Sequence, residues 1–179
     1  MPKLQLLILD AGVVIKLHEL GLWNKVIERC DVYLSSIVAY REVRYHQAEN
    51  DEWGQDIDLS SAIASQQIKV FELVHTDLAA FRSRFDESYF AGLDDGEAES
   101  LAYLVSRTEP FLVSSGDAIV YKVLGNLNRG EQGISLEEIL ASCGLSCRLD
   151  GFQYTQVFRE RLSQQGARDM IQGIGRKSR

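Results

Sequence analysis

Apolar residues fall along this chain in short runs that alternate between two periods. Leu6-Leu7-Ile8-Leu9 opens a continuous apolar stretch, Leu6 to Ile15, broken only by Asp10, Ala11 and Gly12. Such a run reads as a strand buried on both faces of a parallel sheet, with Asp10 delivered to its C-terminal end. Leu20 to Glu28 reads as a helix with Leu22, Trp23, Val26 and Ile27 on one side. Val32-Tyr33-Leu34 is a second strand. Ser36 is placed to cap a helix in which Ile37, Tyr40 and Val43 recur at helical spacing, with Glu42 on it. Asn50 to Asp58 is polar and reads as a loop. Ser60 or Ser61 begins a short helix through Gln67, and Ile68 to Val74 reads as a third strand.

The same alternation continues. His75-Thr76-Asp77 caps a helix from Leu78 to about Phe85. Another opens at Leu93-Asp94-Asp95-Gly96-Glu97, with Ala98, Leu101, Ala102 and Val105 as its buried stripe. Asp94 with Glu97 fits a capping pair at its start, and Asp95 is a plain cap candidate. Phe111-Leu112-Val113 is a fourth strand, ended by Ser114-Ser115-Gly116-Asp117. A helix then runs from Ala118 to Leu124, and Ser135-x-x-Glu138 is a capping box before Leu136, Ile139 and Leu140. Strands alternating with helices predict an α/β chain, a three-layer α/β/α domain with a mainly parallel central sheet, over residues 1–149. Residues 150–179 read as a C-terminal extension. Phe152, Tyr154, Phe158 and Leu162 would dock part of it, and the basic end from Ile174 onward would fray.

Composition narrows the classes. A chain of 179 residues with 45% hydrophobic and 25% charged residues is an ordinary globular one. Its formal net charge of −7 argues against gripping nucleic acid through a large basic surface alone. The three cysteines, Cys30, Cys143 and Cys147, form no CxxC pair; Cys143 and Cys147 stand four apart, but two ligands alone do not make a zinc site, and the odd count fits a reducing, cytoplasmic setting. No stretch approaches the ~20 apolar residues of a membrane span, and the N-terminal run reads as a strand instead of a signal peptide. The three histidines, His18, His46 and His75, have no spacing that suggests a triad or a zinc site.

Acids at strand ends are the candidate chemistry. Asp10 and Asp117 each follow a strand, and parallel strands point their C-terminal ends to one edge. Glu42 and Glu99 come from helices able to lean over that edge. Carboxylates that converge without lysine or arginine among them call for a divalent cation such as Mg²⁺ or Mn²⁺. Each acid also has a plainer reading. Asp10 and Asp117 are placed to cap the helices after them, Glu42 to be a solvated residue beside Arg41 and Arg44, and Glu97 to be structural.

This arrangement resembles the PIN-domain family of metal-dependent ribonucleases, over residues 4 to about 145. Leu7 to Ile15 looks like the family's opening strand with its first acid, Asp10. Ser35 to Val43 is similar to the segment that carries the second, Glu42. Leu93 to Ala102, with Gly96-Glu97-Ala98-Glu99, looks like the third-acid helix, where Glu99 is the match and Glu97 the lesser choice. Val113 to Asp117 resembles the last strand end, with Asp117 as the fourth acid.

The resemblance implies hydrolysis of RNA phosphodiester bonds. Asp10, Glu99 and Asp117 would hold Mg²⁺ or Mn²⁺, Glu42 would complete the set, and Ser114 or Ser115 would position water or phosphate. It also implies a homodimer, and a toxin partnered by a small antitoxin protein. The chain departs from the family pattern at Ala11 and Gly12, and at Ser114, Ser115 and Gly116, where relatives often carry further polar or acidic residues. Those departures define the alternative, a catalytically impaired PIN-like module that binds protein or RNA. Haloacid-dehalogenase-like phosphatases also begin with a strand and an Asp, but they need an acid where Gly12 stands.

Overall fold

The computed structural model describes residues 4–46 and 54–177. Strand β1 (Leu4–Leu9) stops at Asp10, and helix α1 (Ala11–Glu19) starts at once, burying Val13, Val14 and Leu17. The apolar run is therefore two elements joined by one acid. A strand and a buried helix are equally apolar over so short a window, which is why the pattern did not separate them. Gly21, at φ 64°, then separates α1 from α2 (Trp23–Arg29), a shorter helix than the spacing predicts.

Strand β2 (Cys30–Ser35) leads into a π-helical turn at Val38–Glu42, closed by Val43 N–H to Val38 O at 3.1 Å. Strands β3 (Tyr45–His46) and β4 (Gln55–Asp56) pair antiparallel, β4 within the stretch from Asn50 to Asp58 that was expected to be a loop. The Asn50–Trp53 part of that loop lies outside the described residues. Next along the chain are α3 (Ser60–Ala64), β5 (Ile68–Phe71), α4 (His75–Arg82), α5 (Glu87–Phe90), α6 (Asp95–Ser106), β6 (Leu112–Ser114), α7 (Ala118–Asn126), α8 (Leu136–Ser142) and α9 (Gln156–Ile171).

The main sheet has four parallel strands in the order β5-β2-β1-β6. Helices cover both faces, which makes it a three-layer α/β/α fold. Successive residues of β1 divide the core. Leu7 and Leu9 pack with α1, α2 and α8 on one face, and Ile8 packs with α6, α7 and α9 on the other. Because all four strands run the same way, every strand ends at one edge. Among the described residues no helix is long and apolar enough to cross a membrane.

The C-terminal residues pack more fully than their sequence predicts. Helix α9 lies along α7 so closely that a methyl group at Gly125 would run into the Ser163 carbonyl. One at Gly166 would meet the carbonyl of Lys122. Two glycines, one on each helix, thus let the backbones touch. Leu162 and Phe158 fill the second core cluster, Phe158 standing edge-on to Tyr121 with ring centroids 6.2 Å apart. The basic end, expected to fray, is held as far as Lys177. Asp86 N–H donates to Gly175 O, Lys177 N–H to Arg84 O, and Arg176 Nε to Asn126 Oδ1 at 2.8 Å.

Gly166→Leu should separate α9 from α7. We expect a loss of about 2 kcal/mol or more and a fall in Tm of at least ~4–8 °C, read by calorimetry. An unchanged Tm would show that α9 is not packed this way.

Candidate metal centre

Three helices begin at the edge where the strands end, and each has an acid at its N-cap. Asp10 precedes α1, Asp94 precedes α6 and Asp117 precedes α7. Helix N-termini carry partial positive charge and favour anions, which offsets part of the cost of bringing these acids together. Asp94 also makes a capping box with Glu97. Glu97 N–H donates to Asp94 Oδ1 at 2.7 Å, and Asp94 N–H donates to Glu97 Oε2 at 3.2 Å. The capping pair read from the sequence is present. Asp10 and Asp117 make no side-chain cap bond, so their carboxyls are left for other work.

Carboxylate oxygens of Asp10, Asp94 and Glu97 lie within 4.8 Å of one another. Asp10 and Glu97 are buried, at 7% and 3% exposure. Ser115 Oγ lies 3.1 Å from Asp10 Oδ2 and 3.3 Å from Glu97 Oε1, and it accepts Asp117 N–H at 2.9 Å. A hydroxyl has one proton and can donate to only one of those carboxylates at a time. The other needs a proton of its own or a cation. Asp10 Oδ1 and Glu42 Oε2 are buried with no hydrogen-bond partner.

Glu42, from the π-helical turn, lies beside this group but outside the three within 4.8 Å. It packs against the start of α6 where Gly96 stands, and a methyl group there would strike its carboxylate. The extra residue in a π-helical turn shifts the direction of the side chains beyond it, and such turns recur at functional sites. No arginine or lysine stands among the leading influences on these acids. Burial first, and then Asp94, holds the Asp10 carboxyl up at about 6. Burial, Asp94 and Asp10 raise Glu42 to about 7. Burial, Asp10 and Asp94 raise Glu97 to about 8. Asp94 raises all three, and Asp10 also raises both glutamates, so the ionisation of one acid bears on the others.

The two glutamates of α6 part company. Two residues apart on a helix, they point to different sides. Glu97 turns to Asp10. Glu99 is buried and accepts Leu73 N–H at 3.0 Å, with Ile37 N–H and Ser36 Oγ at 3.5 Å, so it ties the ends of β2 and β5 to α6. It is not among the clustered acids. Ser114 is fully buried in β6 opposite Leu9, and its carbonyl accepts Asp10 N–H at 3.0 Å. Ser115 touches the acids. Asp117 is exposed at the rim, close enough to raise both Asp10 and Glu97. Asp94 carried only a capping role in the sequence. The signal that it does more was its place at the start of the helix that brings Glu97.

The donor set is all oxygen, with two orphaned carboxylate oxygens and a surplus of negative charge. An all-oxygen set of this kind could hold a hard divalent cation.

A carboxyl raised above its unfolded value favours folding only while it holds its proton. Here that contribution is complete below about pH 4 and is lost as pH rises through 6 to 8. The metal-free protein should therefore melt at a higher temperature at pH 5 than at pH 8. Mn²⁺ should raise Tm strongly at pH 8 and weakly at pH 5. Asp10→Asn should stabilise the metal-free protein at pH 8 and abolish the Mn²⁺ response. A metal-free Tm that climbs from pH 5 to pH 8 would refute this account of the acids.

Compared with known proteins, the sequence matches no family model and no curated protein.

Proposed function

We propose that this chain is a metal-dependent endoribonuclease with a PIN-like site, cleaving RNA phosphodiester bonds with Mg²⁺ or Mn²⁺. Asp10 Oδ1 carries the reading. It is a buried, unpartnered carboxylate oxygen facing like charges, and an ionised acid is costly there without a counter-charge. The residues that would hold the ion are Asp10, Asp94 and Glu97, with Glu42 and Asp117 beside them. Glu97 takes the part that the family resemblance gave first to Glu99. When bound, such an ion supplies a water of lowered pKa and offsets the charge of the phosphate.

The chain's own residues supply the framework. Ser115 Oγ stands between the carboxyls of Asp10 and Glu97 and donates to one of them at a time. The Asp94 N–H fixes Glu97 Oε2, leaving Oε1 turned to the centre. Gly96 leaves room for Glu42. Asp117 stands at the exposed rim, where a polyanionic substrate meets the site first.

Ser115 stands where relatives of the proposed kind often add an acid, and this favours a second reading. A site with one carboxylate fewer would bind an ion or RNA without efficient turnover. By the same resemblance, the partners to look for are a small antitoxin protein and a second copy of this chain, in the cytoplasm.

The test is cleavage of a mixed structured RNA with Mn²⁺, with EDTA, and by point variants. Cleavage should require the metal and should fall by at least about 100-fold in both Asp10→Asn and Glu97→Gln. Glu99→Gln keeps an oxygen to accept Leu73 N–H and should stay within a few-fold of the parent. Loss at Glu99 with retention at Glu97 would reverse the assignment. Mn²⁺ binding by calorimetry without cleavage would favour the binding module, and neither binding nor cleavage would defeat both.

A further inference from the structure

The cysteines carry a second, separate chemistry. Cys30 opens β2 and Cys143 closes α8, 113 residues later. Their Sγ atoms are 3.3 Å apart in the core, at 1% and 7% exposure. The third cysteine, Cys147, is exposed. The neighbouring backbone brings the same two places together. Arg29 Nη1 donates to the Cys143 carbonyl, and Cys143 N–H is held by Ile139 O at 2.9 Å. The two sulfur atoms have only about 1.3 Å to close to reach bonding distance.

We propose that Cys30 and Cys143 form an intramolecular disulfide when the protein meets hydrogen peroxide. Cys143, the less deeply buried, reacts first, because peroxide is small enough to reach a thiol with little exposure. Its sulfur takes one peroxide oxygen to become a sulfenic acid, and the first water leaves. Cys30 Sγ then attacks that sulfur. An S–S bond forms, the Cys30 proton and the sulfenic hydroxyl leave as a second water, and peroxide has taken both electrons. The resolving thiol is already in place, so over-oxidation of Cys143 is intercepted.

The cross-link would fasten α8 to the sheet and close a long loop of chain. It lies far from the acids. Cys30 pairs with Leu4 at the start of β1, while Asp10 follows its end, about 17 Å along the strand once the bulge between Leu4 and Leu7 is counted. Its effect is on stability, with the Mn²⁺ response left as it was.

The experiment treats the full chain with hydrogen peroxide, alkylates the remaining thiols and maps peptides without reduction. The expected product joins the Cys30 and Cys143 peptides with the loss of two hydrogens, in the parent and in Cys147→Ser alike. Dithiothreitol should reverse it. The oxidised chain should melt about 5 °C or more above the reduced one, and Cys30→Ala should lose that gain. If Cys30→Ala does not fold, the map of the parent decides alone. A sulfinic acid on Cys143 with Cys30 still open to alkylation would overturn the proposal. So would Cys143 joined to Cys147, or a cross-link that forms only in denaturant.

Discussion

Burial of carboxyls beside other carboxyls at one edge of a parallel sheet is the constraint on which the rest of this molecule turns. Parallel strands deliver their ends together whether or not the residues there are compatible. In this chain they deliver Asp10 and Ser115, and three helices begin beside them with Asp10, Asp94 and Asp117 at their N-caps. The helix termini and the Ser115 hydroxyl soften the crowding without removing it. Asp10, Glu42 and Glu97 are still held well above their ordinary range. A fold that keeps such a cluster in its edge loses stability near neutral pH unless protons or a cation are supplied.

The surrounding structure works to keep that arrangement fixed. Asp10 N–H is anchored to the Ser114 carbonyl, so the first acid and the last strand cannot move apart. Glu99, buried two residues beyond Glu97, binds the amide of Leu73 and so sets the angle at which α6 meets the sheet. The sheet itself is locked by opposite residues of β1, with Leu7 and Leu9 in one core cluster and Ile8 in the other. Function on this reading depends on side chains that never face the centre.

Sequence pattern carried the architecture well where period and composition agreed. Val32 to Leu34, the α6 stripe and the Ser135–Glu138 box all stand where their spacing placed them. It failed where two structures share one composition. Gly12 to Ile15 is as apolar as a strand and is a helix. In the Gly96-Glu97-Ala98-Glu99 motif both glutamates are buried, and only three-dimensional direction separates Glu97 from Glu99. Asp94 was legible as a cap because capping is a local matter. Its nearness to Asp10 depends on how α6 meets β1, and no short window contains that. Helix α9 was undervalued for a related reason: its strongest contact is made by Gly166, a residue whose contribution is the absence of a side chain.

The seam between α7 and α9 also bears on how the molecule is made. Asp117 stands at the first turn of α7, and the other side of that helix rests on the backbone of α9, which ends at Ile171. A ribosome releases the chain from the N-terminus, so the four strands and all the clustered acids emerge before α9. Until α9 is free of the ribosome, α7 lacks the backbone it packs against at Lys122, Gly125 and Asn126. Every acid of the edge is thus made before the helix that covers the far half of α7, and that seam is among the last parts of the fold to close.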